Sequence, residues 1–168
     1  TSNMRTGGDD IAQALALMGV RPTWDKASNR VTGFEIMPAS LLDRPRVDVT
    51  LRISGFFRDA FPQQMALFDS AARAVAALDE DDRTNPLAAR VRVDQNALIK
   101  SGVPEKEAKN RAGYRLFGSK PGAYRAGLQA LIDEKGWTES GDLSPAYIAC
   151  VGYPSRPVQR LQAIRTPS

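Results

Sequence analysis

Residues 46–53 read RVDVTLRI and form the clearest alternating segment of the chain. Every second residue is apolar, whereas the residues between them are charged or hydroxylated. Successive side chains of a strand point to opposite faces, so this alternation predicts a β-strand with one buried face. The polar face must meet water, a partner surface or a ligand. The apolar face comprises Val47, Val49, Leu51 and Ile53, and the polar face Arg46, Asp48, Thr50 and Arg52.

The pattern changes to that of a helix after Ser54-Gly55. Apolar residues then recur at spacings of four and three, which predicts an amphipathic helix with Pro62 in its first turn. The four acidic residues 79–82 oppose the helix dipole and end this helix. Asn85-Pro86 is a typical start for the next one. The apolar positions are Phe61, Met65, Phe68, Ala72, Val75 and Leu78.

Weaker patterns complete the prediction of a helix-rich α/β fold with two or three short strands. Upstream, residues 11–18 have helical spacing and residues 30–38 read as a strand. Downstream, we expect helices at 87–101, 104–112 and 124–132, and a brief strand at 114–117. Residues 145–148 indicate a last short helical turn.

The composition sets limits on the class of protein. A chain of 168 residues is long enough for one domain with a real core. It has no apolar stretch of 18 residues and no apolar segment of a secretory signal near Thr1, so we expect no membrane span and a cytoplasmic location. The lone Cys150 fits a reducing compartment. Because the chain starts with Thr1 and enters a helical pattern soon afterwards, we expect it to be part of a longer polypeptide.

The net charge of +4 is concentrated near the end of the sequence. Residues 151–168 carry three arginines and no acid, which leaves 20 basic and 19 acidic side chains in residues 1–150. Proteins that bind nucleic acid usually concentrate basic residues on one face, with aromatic residues nearby. The near-neutral body therefore argues against nucleic-acid binding.

The chain has no histidine and one cysteine, which excludes His-dependent nucleophilic sites and Cys/His zinc sites within it.

Two motifs have alternative interpretations from their residues alone. Residues 117–122 (FGSKPG) lack the spacing of a nucleotide-binding P-loop, so they form either a structural loop or an anion-binding turn. Arg58-Asp59 is either a substrate clamp or a local ion pair at a helix start.

Several strings, in order, resemble the large subunit of cobaltochelatase, and magnesium chelatase has a looser version of them. They are residues 19–25 (GVRPTWD), 30–36 (RVTGFEI), 44–49 (RPRVDV), 54–61 (SGFFRDAF), 85–91 (NPLAARV) and 117–124 (FGSKPGAY). The resemblance covers residues 1–149, which we take as a fragment of the chelatase large-subunit domain. Residues 150–168 do not match, and we expect this basic tail to be disordered or frameshifted.

The resemblance implies a part of a larger, multidomain subunit that binds a tetrapyrrole. The family reaction inserts Co²⁺, as substrate, into hydrogenobyrinic acid a,c-diamide during cobalamin biosynthesis. Partner AAA+ subunits use ATP and Mg²⁺, which this chain is not expected to bind, and the fragment alone is expected to be inactive. Three alternatives stay open: a non-catalytic scaffold or docking module, a magnesium chelatase large subunit, and a small nucleic-acid binder.

The resemblance also implies a site at the end of the alternating strand. Asp59 is the predicted catalytic residue, as proton acceptor or transient ligand of the incoming metal, because carboxylates suit both roles. Cationic side chains would hold substrate carboxylates. No resident metal site is predicted. The residues predicted to bind substrate are Arg46, Asp48, Ser54, Arg58, Ser119 and Lys120.

Overall fold

The computed structural model describes residues 7–119 and 152–155. The first half contains helix α1 (Asp9–Leu17), strands β1 (Val20–Trp24) and β2 (Val31–Ile36), a 3-10 turn (Ala39–Leu41) and strand β3 (Leu51–Ile53). Helices α2 (Gly55–Ala60), α3 (Pro62–Ala76), α4 (Pro86–Lys100) and α5 (Glu105–Ala112) follow, and then strands β4 (Leu116–Gly118) and β5 (Tyr153–Pro154). The predicted helix-rich α/β class is confirmed.

Strands β1 and β2 form an antiparallel hairpin that packs beside α1 and α3. Its register runs from the Val20–Ile36 pair to the Trp24–Val31 pair, with an irregularity between Thr23 and Trp24. Phe34, 1% exposed, is the main contribution of the hairpin to the core. The hairpin therefore covers one side of α1 and α3.

The second sheet joins three strands that are far apart in sequence. β3 pairs with β4 in parallel, and β4 pairs with β5 antiparallel. The register places Leu51 opposite Leu116 and Ile53 opposite Gly118. Because parallel strands end at the same edge of a sheet, the segments that follow β3 and β4 leave from one edge.

The core forms where α3 meets the other elements. Helix α3 is buried along most of its length, as its apolar spacing predicts. Pro62 is in its first turn and Asn85 caps α4 by accepting a hydrogen bond from the Ala88 N–H, as predicted. The largest fully buried apolar side chains are Leu15, Met18, Phe34, Phe68, Val75, Leu87 and Leu116.

The prediction of a strand is wrong for residues 46–50. Only residues 51–53 form a strand, and the burial of the first two residues is reversed. Arg46 is 1% exposed whereas Val47 is 39% exposed. The hydrogen bonds available to a buried guanidinium outweigh the alternation here, because a buried charge is tolerated when it is fully paired.

The tail was expected to lie outside the native fold, but Tyr153 and Pro154 pair with Gly118 and Phe117 of β4. Ser155 adds a backbone hydrogen bond to Leu116 and is 6% exposed. These three residues of the tail therefore bond to the sheet. The helices predicted at 124–132 and 145–148 lie outside the described residues.

Candidate functional site

Four predicted residues lie where β3 and β4 end, and we call them the edge junction: Ser54, Arg58, Asp59 and Ser119. The Ser54 Oγ accepts a hydrogen bond of 3.1 Å from the Phe57 N–H and so caps α2. Arg58 Nε donates to Asp59 Oδ1 at 3.1 Å, and Arg58 Nη1 donates to the Ser119 carbonyl oxygen at 2.8 Å. Arg58 thus links the segment after β3 to the segment after β4.

The edge junction presents a carboxylate to solvent. The side chain of Asp59 is 52% exposed, whereas that of Arg58 is 17% exposed. A carboxylate that is accessible and fixed by a neighbouring guanidinium can accept a proton or contact a cation. Lys120 lies outside the described residues. The roles predicted for all these residues stay predictions.

Arg46 lies elsewhere, at the centre of a buried network. It donates to both Glu80 carboxylate oxygens, at 2.7 and 2.8 Å, and to the carbonyl oxygens of Met18, Gly19 and Met37. Asn85 Nδ2 donates to the same carboxylate at 2.9 Å. This geometry favours a structural role for Arg46, because its donors bind the protein itself. Its substrate-binding role stays a prediction.

Glu80 gives this network a pH dependence. Hydrogen bonding from Arg46, opposed by desolvation, lowers the pKa of Glu80 from its ordinary value of 4.5. A depressed carboxyl pKa stabilises the fold fully above the unfolded-state value, and this contribution is lost as pH falls through the folded-state value.

We therefore expect the protection of the segment around Glu80 from hydrogen exchange to decline below pH 4.5, after correction for intrinsic exchange rates. The variant Glu80→Gln removes the titrating group, so its difference from the wild type should shrink over the same interval. A difference that stays constant down to the acid limit would contradict a folded-state role for the Glu80 charge.

A separate cleft of about 610 Å³ lies beside the sheet. Of the predicted site residues that the structure describes, only Asp48 lines it, together with Thr50 from the same polar face. Arg115 holds Asp48 through Nε and Nη2, at 2.5 and 3.0 Å. We call this the arginine cleft. Its lining consists of Asp48, Thr50, Arg90, Asp94, Ala97, Leu98, Arg111, Ala112, Tyr114, Arg115, Phe117 and Pro154.

Sequence reasoning missed the three arginines of this cleft. Arg90 lies on α4, Arg111 on α5 and Arg115 just before β4, so no short motif joins them. The sequence indicated this cleft only through the polar face that includes Asp48 and Thr50, which was expected to meet a ligand, a partner surface or water. The tertiary structure brings the three arginines into the same cleft as Asp48 and Thr50.

Two features that residues 7–119 and 152–155 lack bear on the kind of site. Within this part of the chain, no three His, Cys, Asp or Glu side chains are grouped so as to hold a metal ion. Nor does any helix in the same ranges have the length and apolar character needed to cross a membrane.

The α/β architecture is that of a segment of a larger chelatase subunit, as comparison with known proteins shows. The family model described as CobN/Magnesium Chelatase matches residues 1–159, so the chain belongs to this family. It is 65% identical over 153 residues to the aerobic cobaltochelatase subunit CobN of a Sinorhizobium species, and 60% identical to that of Pseudomonas aeruginosa. Both alignments cover 91% of this chain but 12% of the relative.

Similarity to the magnesium branch is lower. The chain is 35% identical over 150 residues to a magnesium-chelatase subunit of Rhodobacter capsulatus, covering 89% of this chain and 12% of that protein. The solved catalytic subunit of cobaltochelatase from Mycobacterium tuberculosis superposes with a TM-score of 0.79 and 49% identity over 92% of this chain and 12% of that one. The family match ends at residue 159, beyond the limit of 149 drawn from the strings. The division into domains at that limit stays a prediction.

Proposed function

We propose that this chain is part of the tetrapyrrole-binding subunit of an ATP-dependent cobaltochelatase. The complete enzyme would insert Co²⁺ into hydrogenobyrinic acid a,c-diamide in the cytoplasm, with ATP and Mg²⁺ used by partner AAA+ subunits. The identity of 65% to a cobaltochelatase subunit, against 35% to a magnesium-chelatase subunit, supports the cobalt branch.

The edge junction supplies chemistry that metal insertion needs. The inner N–H proton of the corrin macrocycle must leave, and water must leave the incoming Co²⁺. Asp59 can accept a proton and can bind a hard cation for a short time through its carboxylate oxygens. Arg58 acts as a positioning residue, because its guanidinium contacts both Asp59 and the main chain of Ser119.

The observation that carries this proposal is the position of the Arg58–Asp59 pair. It lies at the edge where two parallel strands end, which is where open α/β sheets bind their ligands. The Ser119 carbonyl that Arg58 contacts belongs to residues 117–122, for which an anion-binding turn is one of the two interpretations. Arg58 thereby joins Asp59 to Ser119, which lies 60 positions later in the chain.

Replacing Asp59 by asparagine tests the catalytic role. In a complete large subunit carrying this segment, with its AAA+ partners and ATP, we expect Asp59→Asn to slow Co²⁺ insertion on the order of 100-fold, since a positioned proton acceptor contributes that much. Binding of the tetrapyrrole should change little. Insertion is followed by the change in the absorption spectrum of the macrocycle.

Asp43→Asn is the matched control, because Asp43 is an exposed carboxylate outside the edge junction. It should leave the insertion rate unchanged. Insertion at the wild-type rate by Asp59→Asn would refute the catalytic role. A parallel assay with Mg²⁺ and protoporphyrin separates the two branches of the family, and activity there alone would refute the cobalt assignment.

A second candidate function is a bracing or docking module without a catalytic role. The Arg46–Glu80 and Arg115–Asp48 ion pairs favour it, because both bind predicted ligand residues to the protein itself. Cross-linking of this segment to the AAA+ subunits, combined with none to bound tetrapyrrole, would support this function over the first.

A further inference from the structure

The arginine cleft has the size and the two kinds of lining that a small-molecule site requires. Its volume of about 610 Å³ lies within the usual range for ligand pockets. One part of the lining is apolar: Ala97 and Leu98 of α4, Ala112 of α5, Phe117 and Pro154. The other part of the lining is charged. A ligand that fits this cleft therefore has an apolar part and an ionic part.

The charged part has a positive excess. Three arginines and two aspartates line the cleft. The surrounding segment 86–115 is basic as well, with seven basic and three acidic side chains. An anion entering the cleft is therefore attracted both by its lining and by the helices that form its wall.

The three arginines differ in how strongly neighbouring acids hold them. Arg115, with a side chain 7% exposed, is bound by Asp48 through two hydrogen bonds. Arg90 contacts Asp94 at 3.0 Å. Arg111 approaches Glu107 at 3.8 Å, and both side chains are about half exposed. An exposed pair at that distance contributes little, so the Arg111 guanidinium can turn toward a ligand at small cost.

We propose that the arginine cleft binds one carboxylate-bearing side of the tetrapyrrole, with Arg111 holding the carboxylate. The apolar lining packs against the macrocycle edge, and the Asp48–Arg115 pair forms a rigid charged wall. Arg111 is then a specificity-determining residue for substrates with free peripheral carboxylates. The inference rests on the proposed function, but it assigns substrate binding to residues apart from the edge junction.

The test is a binding titration of the complete subunit with hydrogenobyrinic acid a,c-diamide, followed by the absorption of the tetrapyrrole. Arg111→Gln should weaken binding by about tenfold or more, because a charge-assisted hydrogen bond is lost. Arg111→Lys, which keeps the charge, should weaken it less. Fully esterified tetrapyrrole should bind the wild type and Arg111→Gln equally, since no carboxylate is left to hold.

A steric variant tests the cleft independently of charge. Ala97→Trp should fill the cleft and weaken binding by about tenfold or more, whereas Asn96→Trp, an exposed neighbour outside the lining, should not. Lys109→Gln, on the same helix as Arg111 but outside the lining, controls for the loss of one positive charge. Wild-type binding by both Arg111→Gln and Ala97→Trp would overturn the cleft assignment and leave the proposed function standing. A wild-type subunit that binds no tetrapyrrole would overturn both.

Discussion

Replacing Arg46 by alanine is expected to destabilise this segment by about 3–5 kcal/mol, the cost of breaking a buried ion pair by removing one partner. The variant leaves the Glu80 carboxylate without its guanidinium, and the carbonyl oxygens of Met18, Gly19 and Met37 lose a donor. The side chain of Glu80 is 17% exposed, so water replaces these bonds only in part. Arg46 therefore joins the segments that follow α1, β2 and α3 through a single side chain.

Hydrogen exchange within the complete subunit measures this effect locally. Amides of α3 that exchange through opening of this segment should exchange more than about 100-fold faster in Arg46→Ala. Arg92→Ala is the control: Arg92 and its partner Asp82 are both largely exposed, so loss of that ion pair should change exchange little. Unchanged exchange in Arg46→Ala would show that the buried network does not stabilise the fold.

The second large effect is expected for Phe68→Ala. Phe68 is 0% exposed and belongs to the core cluster that includes Leu15, Phe34 and Leu87. Removing a buried phenyl ring loses its transfer free energy and leaves a cavity, with a cost of about 3–5 kcal/mol. The ring lies on α3, which contacts α1, β2, α2 and α4. The cavity should therefore weaken protection across several elements at once.

Phe56→Ala provides the matched control for this cavity. Phe56 also lies in a helix, so the change in helix propensity is the same, but its side chain is 56% exposed. Its loss should cost less than about 1 kcal/mol, as surface substitutions usually do. Equal acceleration of exchange in the two variants would mean that Phe68 is not a central core residue.

Helices were the best-predicted part of the fold, because their signals are local. Spacings of four and three along α3, Pro62 in its first turn and Asn85-Pro86 before α4 act within one or two turns of chain. The short helix α2 was missed, since Ser54-Gly55 was taken only as the end of a strand. Its signal was the Ser54 cap, which accepts from the Phe57 N–H three residues later.

The candidate site could be predicted only in part. The resemblance selected Ser54, Arg58, Asp59 and Ser119, and the structure brings Arg58, Asp59 and Ser119 into contact. It also separates Arg46 from them and places Asp48 in the arginine cleft. Whether a polar residue faces a ligand or a buried partner depends on contacts between distant segments, such as Arg46 with Glu80.

The amino-acid sequence by itself determined the approximate limits of α1, α3, α4 and α5, the α/β class and the kinship to the chelatase large subunits, because these depend on local spacing and on short strings. Only the tertiary structure decided that Arg46 is buried, that β3 and β4 run in parallel and that three arginines from α4, α5 and the segment before β4 line one cleft. The reason is that pairing energies of charges and strands arise between residues far apart in the chain, where periodicity carries no information.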